Sequence, residues 1–86
     1  MKSNIKINSK RLLKSIEEMA KIGATAKGGV NRQALTDLDK KSRDLFVKWC
    51  KNEDLKITID KMGNIFARKK GKNNSLPPIL SGSHLD

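Results

Sequence analysis

The stretch Leu55-Lys56-Ile57-Thr58-Ile59-Asp60-Lys61-Met62-Gly63-Asn64-Ile65-Phe66-Ala67-Arg68 decides how the chain folds. Leu55, Ile57 and Ile59 alternate with Lys56, Thr58 and Asp60, the two-residue period of a half-buried strand. Lys61 to Asn64 is turn material, and Ile65 to Arg68 resumes as a second strand, so the segment reads as a hairpin.

Two helices precede it. Leu12, Leu13, Ile16, Met19 and Ala20 recur at helical spacing, with Asn8 or Ser9 as cap and Gly23 as stop, giving a first helix from about residue 9 to about 22. Thr36-Asp37-Leu38-Asp39 is a helix start: Thr36 caps, and Asp39 places a carboxylate at the positive end. Leu38, Ser42, Leu45, Phe46, Trp49 and Cys50 then share one face, with Lys40, Arg43, Asp44, Lys48 and Lys51 opposite. Asn52-Glu53-Asp54 ends this helix. Between the helices, Gly23 to Arg32 is rich in small residues without helical or strand period, and reads as a linker in preference to a ligand-approaching loop.

Beyond the hairpin lies the basic cluster Arg68-Lys69-Lys70-Gly71-Lys72, read as a solvated loop tip. Leu76-Pro77-Pro78 forbids helix and introduces Ile79-Leu80-Ser81-Gly82 as a short third strand. The order helix, helix, strand, strand, strand is the opening of an α/β domain without sheet neighbours for its strands. Polar residues at a strand exit are where α/β proteins place their chemistry, and His84 and Asp86 stand there. In extended chain, residues two apart point to the same side, so both can face one site. A metal-bound imidazole is held by an acceptor on its other nitrogen, which gives the His-x-Asp spacing a physical logic.

Composition narrows the function classes. The chain has 86 residues, 36% of them hydrophobic, with Phe46, Trp49 and Phe66 its only aromatics, which is a modest core. The single cysteine, Cys50, excludes an internal disulfide and suits a reducing cytoplasm; on the apolar face of the second helix it reads as a buried structural thiol. No apolar run is long enough to cross a bilayer, and no signal-peptide core follows the basic start. A cytoplasmic protein is expected. The net charge of +10 points toward nucleic acid, but the cations are dispersed and often sit beside acids. With so few aromatics for base stacking, a lysine-rich solvated surface is expected instead of a nucleic-acid partner.

Three motifs in fixed order, Gly29 to Asp39, Asp60 to Arg68 and Leu76 to Asp86, carry a family resemblance. They resemble the amino-terminal region of the zinc-dependent amidohydrolases that include N-carbamoyl-L-amino-acid hydrolase, allantoate amidohydrolase and β-ureidopropionase, within the aminoacylase and carboxypeptidase superfamily. The resemblance spans nearly the whole chain from the first helix onward. It implies that residues 1–86 are an incomplete opening portion of a zinc-peptidase-like α/β catalytic domain. It implies that His84 is the first histidine ligand of a two-metal centre and that Asp86 orients that imidazole. Family members cleave a carbon–nitrogen bond of a carbamoyl, ureido or acyl amino acid, through a water activated by the metals and a glutamate base.

The family's bridging aspartate, glutamate base, remaining ligands and dimerising lid follow the His-x-Asp motif. Catalytic zinc takes about three protein ligands plus water, and the chain has one histidine. The fragment alone is therefore expected to bind zinc or another divalent metal poorly and to be inactive. Its expected partners are a small amide or ureido substrate and the missing remainder of the domain. The competing readings are a small basic module for nucleic acid or an acidic partner, and one subunit of a split amidohydrolase.

Overall fold

The structure is a computed structural model that describes residues 5–86. It contains helix α1 (Ser9–Ala20), helix α2 (Asp37–Asn52) and strands β1 (Lys56–Ile59) and β2 (Ile65–Arg68). The two helices and the hairpin expected from the sequence are all present.

Each element begins where local chemistry starts it. The Asn8 side chain accepts from the Arg11 amide at 3.1 Å and caps α1. Thr36 Oγ1 accepts from the Asp39 amide at 3.3 Å, and the Asp39 carboxylate reaches back to the Leu35 amide at 3.1 Å. That reciprocal arrangement satisfies two donors at the entrance of α2, with Leu35 held at a φ of 67°. In the hairpin, Ile57 faces Ala67 and Ile59 faces Ile65 on one side; Lys56 faces Arg68 and Thr58 faces Phe66 on the other.

The hairpin turn is built on Asp60. Gly63 N–H donates to the Asp60 carbonyl at 3.1 Å, and Gly63 follows at a φ of 86°. A turn closed by a left-handed residue is the usual three-residue hairpin loop, and glycine takes that conformation without a side-chain clash. The Asp60 carboxylate accepts from the Met62 amide (3.0 Å), the Asn64 amide (2.8 Å) and the Asn64 side chain (2.9 Å). These bonds, the Asn64 side chain foremost, hold the carboxyl below its usual range.

The interior is small. Ser42 and Cys50 are the buried residues among those described, at 0% and 6% exposure. Leu45, Phe46, Trp49, Leu55, Ile57 and Ile65 are half-buried around them, where α2 packs on β1. Cys50 is thus the buried thiol its position on the helix predicts, and burial pushes its pKa up. Ser42 donates to the Asp39 carbonyl at 2.7 Å, so its hydroxyl is satisfied inside the core. Arg43 departs from the expected solvent face: it is half-buried, its guanidinium beside Gly63 of the hairpin turn.

Two expectations are corrected. The segment Ile79–Gly82 is not a third strand; residues 77–86 carry no strand pairing, with Ile79 fully exposed and Leu80 81% exposed. The physical reason is the lack of a partner, since strand structure exists only as a hydrogen-bonded ladder and the sheet among the described residues has two strands, β1 and β2. Residues 23–32 are not a free linker either. Asn31 N–H donates to the Gly23 carbonyl (2.8 Å) and Thr25 N–H to the Gly29 carbonyl (2.8 Å), with Ala24 bridged to Val30. The stretch is an ordered, reversed loop.

Leu12, Leu13 and Ile16 on α1 remain 50–59% exposed, so the apolar stripe that marks this helix is not covered. The radius of gyration, 15.6 Å, exceeds the about 12 Å of a compact chain of this length.

Candidate functional site

His84 and Asp86 lie at the end of the extended segment that follows the two prolines, and they face the same side as their spacing requires. The His84 Nδ1 is 2.7 Å from the Asp86 backbone oxygen and 3.6 Å from Asp86 Oδ1. The nearer partner is therefore the main chain, with the carboxylate just outside hydrogen-bond range. A backbone oxygen can only accept, so this contact is a hydrogen bond when Nδ1 carries the hydrogen. With Nδ1 so engaged, Nε2 is the ring nitrogen left for a metal, and the ring is open to approach, its side chain 82% exposed.

What holds this segment in place is Arg32. Its Nε and Nη2 donate to the Leu85 carbonyl at 2.9 and 2.8 Å, across 53 residues of sequence. Its Nη1 donates to the carbonyls of Met19 (2.9 Å) and Ile22 (2.6 Å) at the end of α1. Carbonyls in the last turn of a helix lack intrahelical partners and carry the negative end of its dipole, so a guanidinium suits them. Arg32 was given no role by the sequence reading, although it stands inside the first of the three motifs. The available signal was an arginine placed between a glycine-rich loop and a helix cap, which local patterns leave unassigned.

The donor set for a metal is partial. The His84 Nε2 fits one ligand position, but among the described residues no group of three or more His, Cys, Asp or Glu side chains is gathered to hold an ion. Glu17, Glu18, Asp37, Asp39 and Asp44 lie on the helices, and Glu53 and Asp54 directly follow α2. Asp44 pairs with Lys40 at 3.0 Å and Glu18 with Lys14 at 3.9 Å, both one helical turn apart. Two surface depressions among the described residues lie away from the motif: one is lined by Asp44, Val47 and Lys51, the other by Lys56, Arg68 and Asn74.

Comparison with solved structures supplies the context. An amidase of the hydantoinase/carbamoylase family from Burkholderia multivorans superposes on 98% of this chain with a TM-score of 0.94 and 54% sequence identity. The chain is similar to the hydantoinase/carbamoylase amidases. An N-carbamoyl-L-amino-acid amidohydrolase from Rhizobium meliloti is 46% identical over 83 residues, 96% of this chain. Allantoate deiminase 1 of Glycine max is 35% identical over 69 residues, 80% of this chain and 14% of its own length. No family model matches. The resemblance that the three motifs carried is therefore present over nearly the entire carbamoylase-like segment.

The chain spans about one fifth of the length of the relatives it matches: 20% of the Rhizobium meliloti protein and 20% of the Burkholderia multivorans structure. No helix among the described residues is long and apolar enough to cross a membrane.

Proposed function

We propose that this chain supplies one histidine ligand, His84, to the metal site of a hydrolase that acts on non-peptide carbon–nitrogen bonds of N-carbamoyl, ureido or acyl amino acids. The observation that carries the reading is the 46% identity, across 96% of the chain, with a protein named for hydrolysis of N-carbamoyl-L-amino acids. The 2.7 Å contact of His84 Nδ1 with the Asp86 backbone oxygen supports it, because it leaves Nε2 as the free ring nitrogen. On this reading Asp86 orients the ring, supported by its backbone oxygen 2.7 Å and its carboxylate 3.6 Å from Nδ1.

A divalent metal, zinc in the family the chain resembles, would when bound activate the attacking water. One imidazole does not make such a site. The remaining ligands, the base and the covering layers come from sequence outside these 86 residues, in the same polypeptide or in a second one. The uncovered stripe of α1 and the fully exposed Ile79 are the surfaces that added chain would cover, with Ile79–Gly82 pairing as a strand once a neighbour stands beside it. The working environment is the cytoplasm.

On this reading residues 1–86 alone neither retain zinc nor hydrolyse N-carbamoyl amino acids. Equilibrium dialysis of the 86-residue chain against zinc tests this. Binding no tighter than that of a His84→Ala variant is expected. Tight, one-to-one binding that His84→Ala abolishes would mean that the chain completes a site by itself and would overturn the proposal.

A further inference from the structure

We infer that Arg32 is the positioning residue of the His84–Asp86 segment, holding it through the Leu85 peptide without touching either side chain. The inference takes from the preceding proposal only the purpose of the motif; its geometry stands by itself. Leu85 is the residue between the two functional side chains, and its carbonyl receives two guanidinium donors, Nε at 2.9 Å and Nη2 at 2.8 Å. Two donors from one planar fork converge on that single oxygen and hold it at the Nε/Nη2 edge of the guanidinium, which a single donor does less firmly.

The third nitrogen anchors the fork. Nη1 bonds the Met19 and Ile22 carbonyls, so the guanidinium is referenced to the end of α1 and does not travel with the segment it holds. Among the described residues every hydrogen-bond partner of the Arg32 guanidinium is a carbonyl oxygen, from three different residues. The guanidinium is a cross-brace between chain segments and not half of an ion pair. Leu85 is half-buried, while His84, Asp86 and the residues from Ser81 to Ser83 are exposed. Among the described residues, the hydrogen bonds that join residues 77–86 to the rest of the fold are those from Arg32 to the Leu85 carbonyl.

The consequence reaches His84. The Nδ1 contact with the Asp86 backbone oxygen spans the Leu85 peptide, and it forms only while that peptide keeps its present orientation. Releasing Leu85 frees Asp86 to swing away, and the ring then drifts toward the Nε2–H form that an unrestrained imidazole prefers. That form blocks Nε2 as a ligand. Lysine cannot substitute: one ammonium keeps the charge but lacks the fork.

Heteronuclear NMR of the 86-residue chain, with no metal, tests the inference. In the unaltered chain the Arg32 Nε–H is expected to exchange with water at least tenfold more slowly than those of Arg11 and Arg68, and the His84 nitrogen shifts should report Nδ1–H. Arg32→Lys should return the Leu85 carbonyl carbon to a solvent-exposed shift and move His84 toward Nε2–H, with α2 and hairpin signals in place. An Arg32 Nε–H that exchanges as fast as that of Arg11 overturns the inference, and this needs no variant. So does an Arg32→Lys chain whose Leu85 and His84 signals do not move. Should His84 prove not to be a metal ligand in any context, these signals would be unaffected, so the two failures are distinguishable.

Discussion

Gly23 and Gly28 offer a matched pair of substitutions that isolates one contact beneath the Arg32 brace. Both have left-handed backbone, with φ of 83° and 88°. Alanine at either position carries the same conformational cost, about 1–2 kcal/mol. The surroundings differ. A Cβ at Gly28 would meet nothing within 4 Å, whereas one at Gly23 would lie 2.7 Å from the Asn31 carbonyl oxygen and 3.2 Å from Arg32 Cβ.

The obstruction at Gly23 is main chain, already tied by the 2.8 Å bond from Asn31 N–H to the Gly23 carbonyl, so it cannot turn aside as a flexible side chain would. Overpacking of this kind costs roughly a further 1–3 kcal/mol. Since 1.4 kcal/mol is a factor of about ten, Gly23→Ala should weaken the loop on the order of tenfold more than Gly28→Ala. Hydrogen exchange of the Asn31 amide in the two variants measures that ratio directly. Because Arg32 Cβ is part of the obstruction, only Gly23→Ala should also loosen the contacts at Leu85. Equal loss of Asn31 protection in the two variants would refute the reasoning.

Two further expectations follow from the ionisable groups. Asp60 has a folded pKa below its unfolded value of about 3.9, so its contribution to the hairpin is complete above that value and is lost as pH falls through the folded pKa. The Gly63 and Asn64 amides should lose exchange protection over that acidic window, and Asp60→Asn, which turns one acceptor into a donor facing the Asn64 side chain, should lower protection at neutral pH and flatten the acid response. Cys50 behaves in the opposite sense: its raised pKa favours the folded state up to the unfolded value of about 8.5, and that advantage is lost as pH rises through the folded pKa. Alkylation by iodoacetamide at pH 8 should run at least about tenfold slower in the native chain than in urea, where the thiol is exposed and more ionised; equal rates would place Cys50 outside the core.

Much of the local structure was legible because local rules specify it. Thr36 and Asp39 announce α2, the apolar spacing puts Ser42 and Cys50 inside, and the alternation from Leu55 with the glycine turn at Gly63 gives the hairpin. What was not legible depends on meetings between distant segments. Ile79–Gly82 has strand-like composition, but a strand requires a neighbour, and composition does not say whether one is present. The Gly23–Arg32 loop has no period because its order comes from backbone bonds between Gly23 and Asn31 and between Thr25 and Gly29. Arg32 meets Leu85 across 53 residues, and no spacing rule encodes that contact. At the site, the His84 and Asp86 side chains, two residues apart, approach to 3.6 Å. Their spacing did not show that the Asp86 main chain, at 2.7 Å, is a closer partner for Nδ1 than the carboxylate at 3.6 Å.

The central claim is that His84 is one ligand of a metal site completed by chain beyond this segment. The most direct measurement is the metal content of a chimera in which these residues replace the matching fifth of the Rhizobium meliloti amidohydrolase. The chimera should retain its divalent metal and hydrolyse N-carbamoyl-L-amino acids, and His84→Ala should remove both. A folded chimera that keeps its full metal content after His84→Ala would contradict the account.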